Sequence, residues 1–171
     1  MKYSKSLARI AMVASLLTPL YSLASAQDSG IEIGAKAPAA ALVTLDGKAA
    51  DLSSHIGKTP VLMEFWATWC PNCKELEPAM ASLHRKYGAS VAFVNVAVSV
   101  NQSPALVNRY VAAHKLPGIQ YFDAKGNATG AYDVPATSYV VLVDGTGKVV
   151  YTGLGGKQGE AIETAIKKVL K

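Results

Sequence analysis

Cysteine is almost missing from this chain: there are two in 171 residues, Cys70 and Cys73. A sequence this poor in cysteine is not a disulfide-stapled scaffold. The pair also closes too small a ring to restrain the unfolded chain much. Histidine is nearly as scarce. His55, His84 and His114 stand singly, without ligand spacing, and no second Cys-x-x-Cys exists. The four-ligand set of a tetrahedral zinc site is therefore not assembled, and no metal is expected. A long apolar run is lacking too: Ile10 to Leu17 is the N-terminal candidate, and Thr18 and Pro19 end it well short of a bilayer span. Charge of one sign is not concentrated either. The net charge is +5, but three of the seventeen basic residues (Lys2, Lys5, Arg9) lie in the first 26 positions, leaving fourteen against twelve acidic ones. That balance offers no clustered basic face for nucleic acid. Repeats, low-complexity tracts and internal linkers are absent as well.

What is present begins with those first 26 residues. A positive start, a short apolar run and Ala24-Ser25-Ala26 before Gln27 form the pattern of a secretory signal peptide. Residues 1–26 are thus expected to be the signal and 27–171 a single domain, long enough to bury a core without staples. An uncleaved N-terminal anchor is the alternative. No cysteine follows the run to take a lipid. The expected product is exported, periplasmic or otherwise extracytoplasmic, soluble and monomeric. Exported chains usually spend cysteine on structural bridges. A lone close pair in such a chain points to redox catalysis.

The remaining elements follow from periodicity and breakers. Ala41 to Leu45 predicts a short strand before the Asp46-Gly47 turn, and Leu52 to Ile56 a single helical turn. Val61 to Ala67 is almost wholly apolar, as in a central strand covered on both faces. Pro71 suits the first turn of a helix carrying Leu76, Met80, Leu83 and Tyr87 inward to Gly88, with a kink expected at Pro78. Val91 to Val98 predicts a second buried strand. Ser103 caps a helix to Leu116, with Leu106, Tyr110 and Ala113 assigned to its inner face. Ile119 to Phe122 is a short strand. Tyr139 to Val143 and Val149 to Thr152 flank Asp144-Gly145-Thr146-Gly147 as a hairpin. Gly159 to Leu170 closes the chain as an amphipathic helix with Ile162, Ile166, Val169 and Leu170 inward. The fold class is α/β, a mixed central sheet with helices on both faces.

The cysteines sit where that pattern turns from strand to helix, in Phe65-Trp66-Ala67-Thr68-Trp69-Cys70-Pro71-Asn72-Cys73-Lys74. A thiolate is the attacking species in disulfide exchange, so a cysteine pKa must be lowered. Cys70 stands at the helix start, where free backbone N–H groups favour negative charge. It is expected to be the exposed attacker, with Cys73 the more buried resolving thiol one turn later. Glu64, a lone acid within Val61 to Trp66, is the candidate base for Cys73. Burial would raise its pKa towards neutrality. The alternative is an edge strand that shows Glu64 to solvent.

Residues 31 to 171 resemble the thioredoxin-fold TlpA/ResA-like family of extracytoplasmic thiol-disulfide oxidoreductases. The likeness rests on the Trp-Cys-x-x-Cys-Lys core, Gly34-x-x-Ala37-Pro38, Leu45-Asp46-Gly47-Lys48, Gly57-Lys58 and Phe65 to Cys70. It implies a thioredoxin-like fold, reduction of protein disulfides outside the cytoplasm, often in cytochrome c maturation, and a membrane thiol-disulfide electron donor. No cofactor is implied beyond the Cys70–Cys73 disulfide. Glu64, six residues before Cys70, matches the buried acid of such proteins. Trp69, Pro71, Asn72, Thr137 and Ser138 are the expected substrate contacts. Two positions depart from the family. The acid usual three residues after the second cysteine is Leu76 here, and Glu75 and Glu77 are assigned to the solvated helix face. Where a cis-proline usually faces the cysteines, counting back from Asp144 gives Ser138, with Pro135 three residues early. A trans Thr137-Ser138 peptide is expected, because a non-proline cis bond costs about 2.5–4 kcal/mol. The Ser138 hydroxyl is expected to donate to the Cys70 thiolate.

Other classes fit less well. A copper chaperone of related fold would use Cys-x-x-x-Cys with a partnering histidine, and a thiol peroxidase Pro-x-x-x-Thr-x-x-Cys. An oxidase or isomerase of the same fold remains open, with a metal-binding chaperone behind it. The neutral Asn72 favours a reductase, since strong oxidants owe their potential to a stabilised reduced form.

Overall fold

The computed structural model describes residues 30–171. The signal segment 1–26 and the start at Gln27 lie outside the described residues. Among the described residues no helix is long and apolar enough to cross a membrane.

Seven strands form one sheet: β1 (Ala41–Thr44), β2 (Ala49–Asp51), β3 (Val61–Trp66), β4 (Ala92–Val98), β5 (Ile119–Asp123), β6 (Tyr139–Val143) and β7 (Val149–Leu154). Four helices accompany them: α1 (Pro71–Tyr87), α2 (Pro104–His114), α3 (Asn127–Ala131) and α4 (Gly159–Val169). The strand order is β2-β1-β5-β4-β3-β6-β7. β3, β4 and β5 are parallel, while β6, β7, β1 and β2 join antiparallel. This is the mixed α/β arrangement expected from the alternation of strands and helices. β3 is central, and all six of its residues are buried, Glu64 included.

Apolar residues of β3 alternate between two cores, as a two-sided strand requires. Val61, Met63 and Phe65 pack with Val94, Val96, Tyr132 and Val141 on one face. Leu62 packs on the other with Leu76, Met80 and Leu83 of α1 and Ile162 and Ile166 of α4. A third cluster gathers Trp66, Ala67, both cysteines, Ala97, Val98, Val107 and Phe122 at the C-terminal ends of the parallel strands.

Several local expectations need correcting. The inner face of α2 is formed by Val107, with Tyr110 and Val111 partly buried, while Leu106 is exposed. The helix rolls by one position because Val107 meets the sheet beside Phe122. Leu170 is exposed too, since α4 ends at Val169 before a further turn can bring it inward. Pro78 lies inside α1, which continues past it to Tyr87 without ending there. The strand β2 and the five-residue α3 are too short to leave a periodic signal.

Candidate active site

The site is built where β3 ends and α1 begins. Cys70 is the N-cap of α1 and Pro71 its first residue, so Pro71's missing donor removes no helical bond. Cys70 and Cys73 form a disulfide, with Cα atoms 5.3 Å apart. The Cys70 sulfur accepts the backbone N–H of Cys73 at 3.1 Å. One of the orphan donors of the helix start is thereby aimed at the sulfur that would carry charge.

The expected difference in exposure between the cysteines is not found: Cys70 is 2% exposed and Cys73 3%. In the bonded state the Cys70 sulfur is drawn onto the first turn of α1 and packs within the Trp66, Ala97 and Phe122 cluster. What distinguishes Cys70 in this state is the N–H donated to its sulfur. The residues around the pair do reach solvent, with Trp69 44% exposed and Pro71 and Asn72 both exposed.

The loop carrying Trp69 is pinned from the loop after β4. Gln102 accepts the Thr68 N–H at 2.9 Å and donates to the Val98 carbonyl at 2.5 Å. The Trp69 indole donates to the Val100 carbonyl at 2.8 Å. The role of Gln102 was not legible from sequence, being a polar residue in a polar loop with no spacing to mark it.

Glu64 lies beneath the dithiol. It is paired in register with Asn95 of β4 and Val140 of β6, so the edge-strand alternative is excluded. Its carboxyl pKa is pushed up to about 8, first by burial and then by the negative charge of Glu77. Glu64, Cys73, Glu77, Trp66, Met80 and Asn95 line a common cavity of about 20 Å³. A carboxylate that holds its proton near neutrality beside a thiol is suited to exchange one with it.

Glu77 is not on a solvated face. It accepts a hydrogen bond from the Tyr110 hydroxyl at 2.6 Å and lies 3.1 Å from His114 Nδ1. This helix position faces Tyr110 and His114 of α2, whose placement is not a local property of the sequence. Glu75 does stay exposed, with Lys157 Nζ 3.8 Å away.

The Thr137-Ser138 segment enters β6 beside the end of β3, with the Ser138 N–H donated to the Phe65 carbonyl at 2.8 Å. No cis peptide bond occurs among the described residues, so the Thr137-Ser138 bond is trans as expected and Pro135 is not cis. In the disulfide state the Ser138 hydroxyl is buried without a hydrogen-bond partner, and the donation expected of it concerns the Cys70 thiolate of the reduced state. With φ at +65°, Ser138 gives its backbone N–H to the Phe65 carbonyl of β3 and accepts the Gly155 N–H, just past β7, on its own carbonyl.

A disulfide at the strand–helix junction of this sheet defines a thiol-disulfide oxidoreductase of thioredoxin fold. The Redoxin family pattern matches residues 32–170, and the chain belongs to that family. It is 29% identical to the thiol-disulfide oxidoreductase ResA of Bacillus cereus (strain ATCC 10987 / NRS 248) over 150 residues, 88% of this chain and 86% of that one. It is 33% identical to the thioredoxin-like protein YneN of Bacillus subtilis (strain 168) over 137 residues, 78% and 79% of the two chains. Among solved structures, a thiol:disulfide interchange protein DsbE from Chlorobium tepidum superposes with a TM-score of 0.74 at 29% identity, covering 82% of this chain and 99% of that one.

Proposed function

We propose that this protein reduces protein disulfides outside the cytoplasm, with Cys70 as nucleophile, Cys73 as resolving thiol and Glu64 as proton carrier. The observation that carries the roles is the placement of the Cys70 sulfur on the first turn of α1, with Cys73 opening onto the cavity of Glu64. The Cys70 thiolate attacks one sulfur of a substrate disulfide, forming a mixed disulfide and releasing a substrate thiolate. Cys73 gives its proton to the Glu64 carboxylate. The Cys73 thiolate then attacks the Cys70 sulfur, closes the Cys70–Cys73 disulfide and releases the second substrate thiolate. Two electrons pass to the substrate, and a thiol-disulfide donor at the membrane restores the dithiol. No other redox group or metal is required.

Substrate contact is assigned to Trp69, Pro71 and Asn72 on the exposed rim and to the Thr137-Ser138 segment opposite. Export is supported by the Lys2, Lys5, Arg9 and Ala24-Ser25-Ala26 pattern, with cleavage before Gln27 and a monomeric product. Reduction rather than oxidation is supported by the neutral Asn72 between the cysteines. Measuring the reduction potential of the pair tests the direction. A value near that of thioredoxin, about −270 mV, supports the reductase; one near about −120 mV makes the protein an oxidase.

A further inference from the structure

Glu77 stands one helical turn beyond Cys73, and both its carboxylate oxygens are engaged from α2. The Tyr110 hydroxyl donates to Oε1 at 2.6 Å, and His114 Nδ1 is 3.1 Å from Oε2. The Tyr110 ring stacks on His114, centroids 3.8 Å apart and planes 15° apart, and leans on Trp66 at 5.6 Å. On its inner side Glu77 shares the cavity with Glu64, Cys73 and Asn95. A volume of about 20 Å³ accommodates one water, given polar groups to bind it. Towards solvent the side chain of Glu77 is 22% exposed and that of His114 41%. The groups facing Glu77 are therefore Tyr110 and His114 of α2, Glu64 of β3 and Cys73 of its own helix. Burial and the bond to Glu77 push the Tyr110 pKa upward, so its phenol stays a donor and does not carry protons itself.

We propose that Glu77 and His114 carry to solvent the proton that Glu64 takes from Cys73, by way of one water in the shared cavity. The inference rests on the reading of Glu64 as the proton carrier. In sequence, Cys73 loses its proton to the Glu64 carboxylate, and the protonated Glu64 passes one through the water to the Glu77 carboxylate. Glu77 passes it from Oε2 to Nδ1 of the His114 tautomer that carries its own hydrogen on Nε2, and the imidazolium so formed loses a proton to solvent. Each group ends in its starting state, ready for the next dithiol. Tyr110 positions the Glu77 carboxylate between cavity and surface.

The test follows thiolate and proton separately. Reduced full-length protein is mixed, at a pH above about 8 so that Glu64 starts ionised, with 5,5′-dithiobis(2-nitrobenzoate) and a pH-indicator dye in weak buffer. The coloured thiolates remain ionised, so the first reports attack by Cys70 and the second reports closure by Cys73, with that cysteine's proton released. In the wild type, proton release keeps pace with the second thiolate. Glu77→Gln keeps an acceptor for Tyr110 but holds no exchangeable acid. The second thiolate should still appear, at a rate set by a Glu64 freed of the neighbouring charge, while the proton lags behind it by about tenfold or more. His114→Asn should produce the same lag, relieved by added imidazole. Proton release in step with the second thiolate in both variants would overturn the relay. An unchanged second thiolate in Glu64→Gln would instead overturn the underlying role of Glu64.

Discussion

Gln158 donates its side-chain amide to the carbonyl of Ser138 at 3.0 Å, across twenty residues of sequence. The same nitrogen serves the Gly155 carbonyl at 2.8 Å, and the Gln158 oxygen accepts from the Tyr151 hydroxyl at 3.1 Å. With the Gly155 N–H also bonded to the Ser138 carbonyl at 3.1 Å, the segment opposite the dithiol is tied to the turn that leads into α4. Gly153 is what lets Gln158 reach: a Cβ there would stand 2.1 Å from the Gln158 oxygen.

Gln158→Leu should therefore cost about 2–3 kcal/mol, because it strands buried partners as well as deleting bonds. Urea unfolding of oxidised protein measures this. The same variant should lose more kcat/KM with a protein disulfide than with a small aromatic one, since only the former is held against Thr137-Ser138. An equal loss with both would mean that Gln158 supports folding alone.

Ser138 bears a left-handed backbone conformation and an unpartnered buried hydroxyl. Ser138→Gly should raise stability by about 1 kcal/mol, as relief of both outweighs the added freedom of the unfolded chain. Ser138→Pro should destabilise by about 3 kcal/mol or more, losing the bond to Phe65 and forcing φ negative.

Glu64→Gln should stabilise the fold in a pH-dependent way. The folded pKa of about 8 lies above the ordinary carboxyl value of 4.5, so the unfolded chain releases this proton first as pH rises. Native stability is then lost progressively between those two values and is lowest above the upper one. The variant's advantage should grow over that window to on the order of 4 kcal/mol and then level off. Denaturation midpoints measured from pH 4 to about 9 would reveal a flat difference if Glu64 is not so perturbed.

Cys73→Ser should accumulate mixed disulfides through Cys70, visible by mass spectrometry, while Cys70→Ser should accumulate none. In the reduced protein, iodoacetamide at neutral pH should label Cys70 before Cys73, because the helix-start N–H groups favour its thiolate. Labelling of Cys73 first would reverse the assigned roles.

Much of this protein was legible one stretch at a time. The apolar run on both sides of Glu64 favours a strand covered on both faces, which buries its acid, over an edge strand that shows it to solvent. Pro71 after Cys70 suits the first turn of a helix, where its missing N–H costs nothing, and so points to a strand–helix junction at the dithiol. Those inferences rest on backbone geometry and period, which act over a few residues. The outer surroundings of the site were decided elsewhere. Glu77 meets Tyr110 and His114 from 33 and 37 positions away, Thr68 meets Gln102 from 34, and Ser138 meets Gln158 from 20. Glu77, Gln102 and Gln158 look like solvated surface groups in isolation. Only the packing of α2 and α4 against the sheet removes water from them, and a polar group deprived of water must take the nearest protein partner.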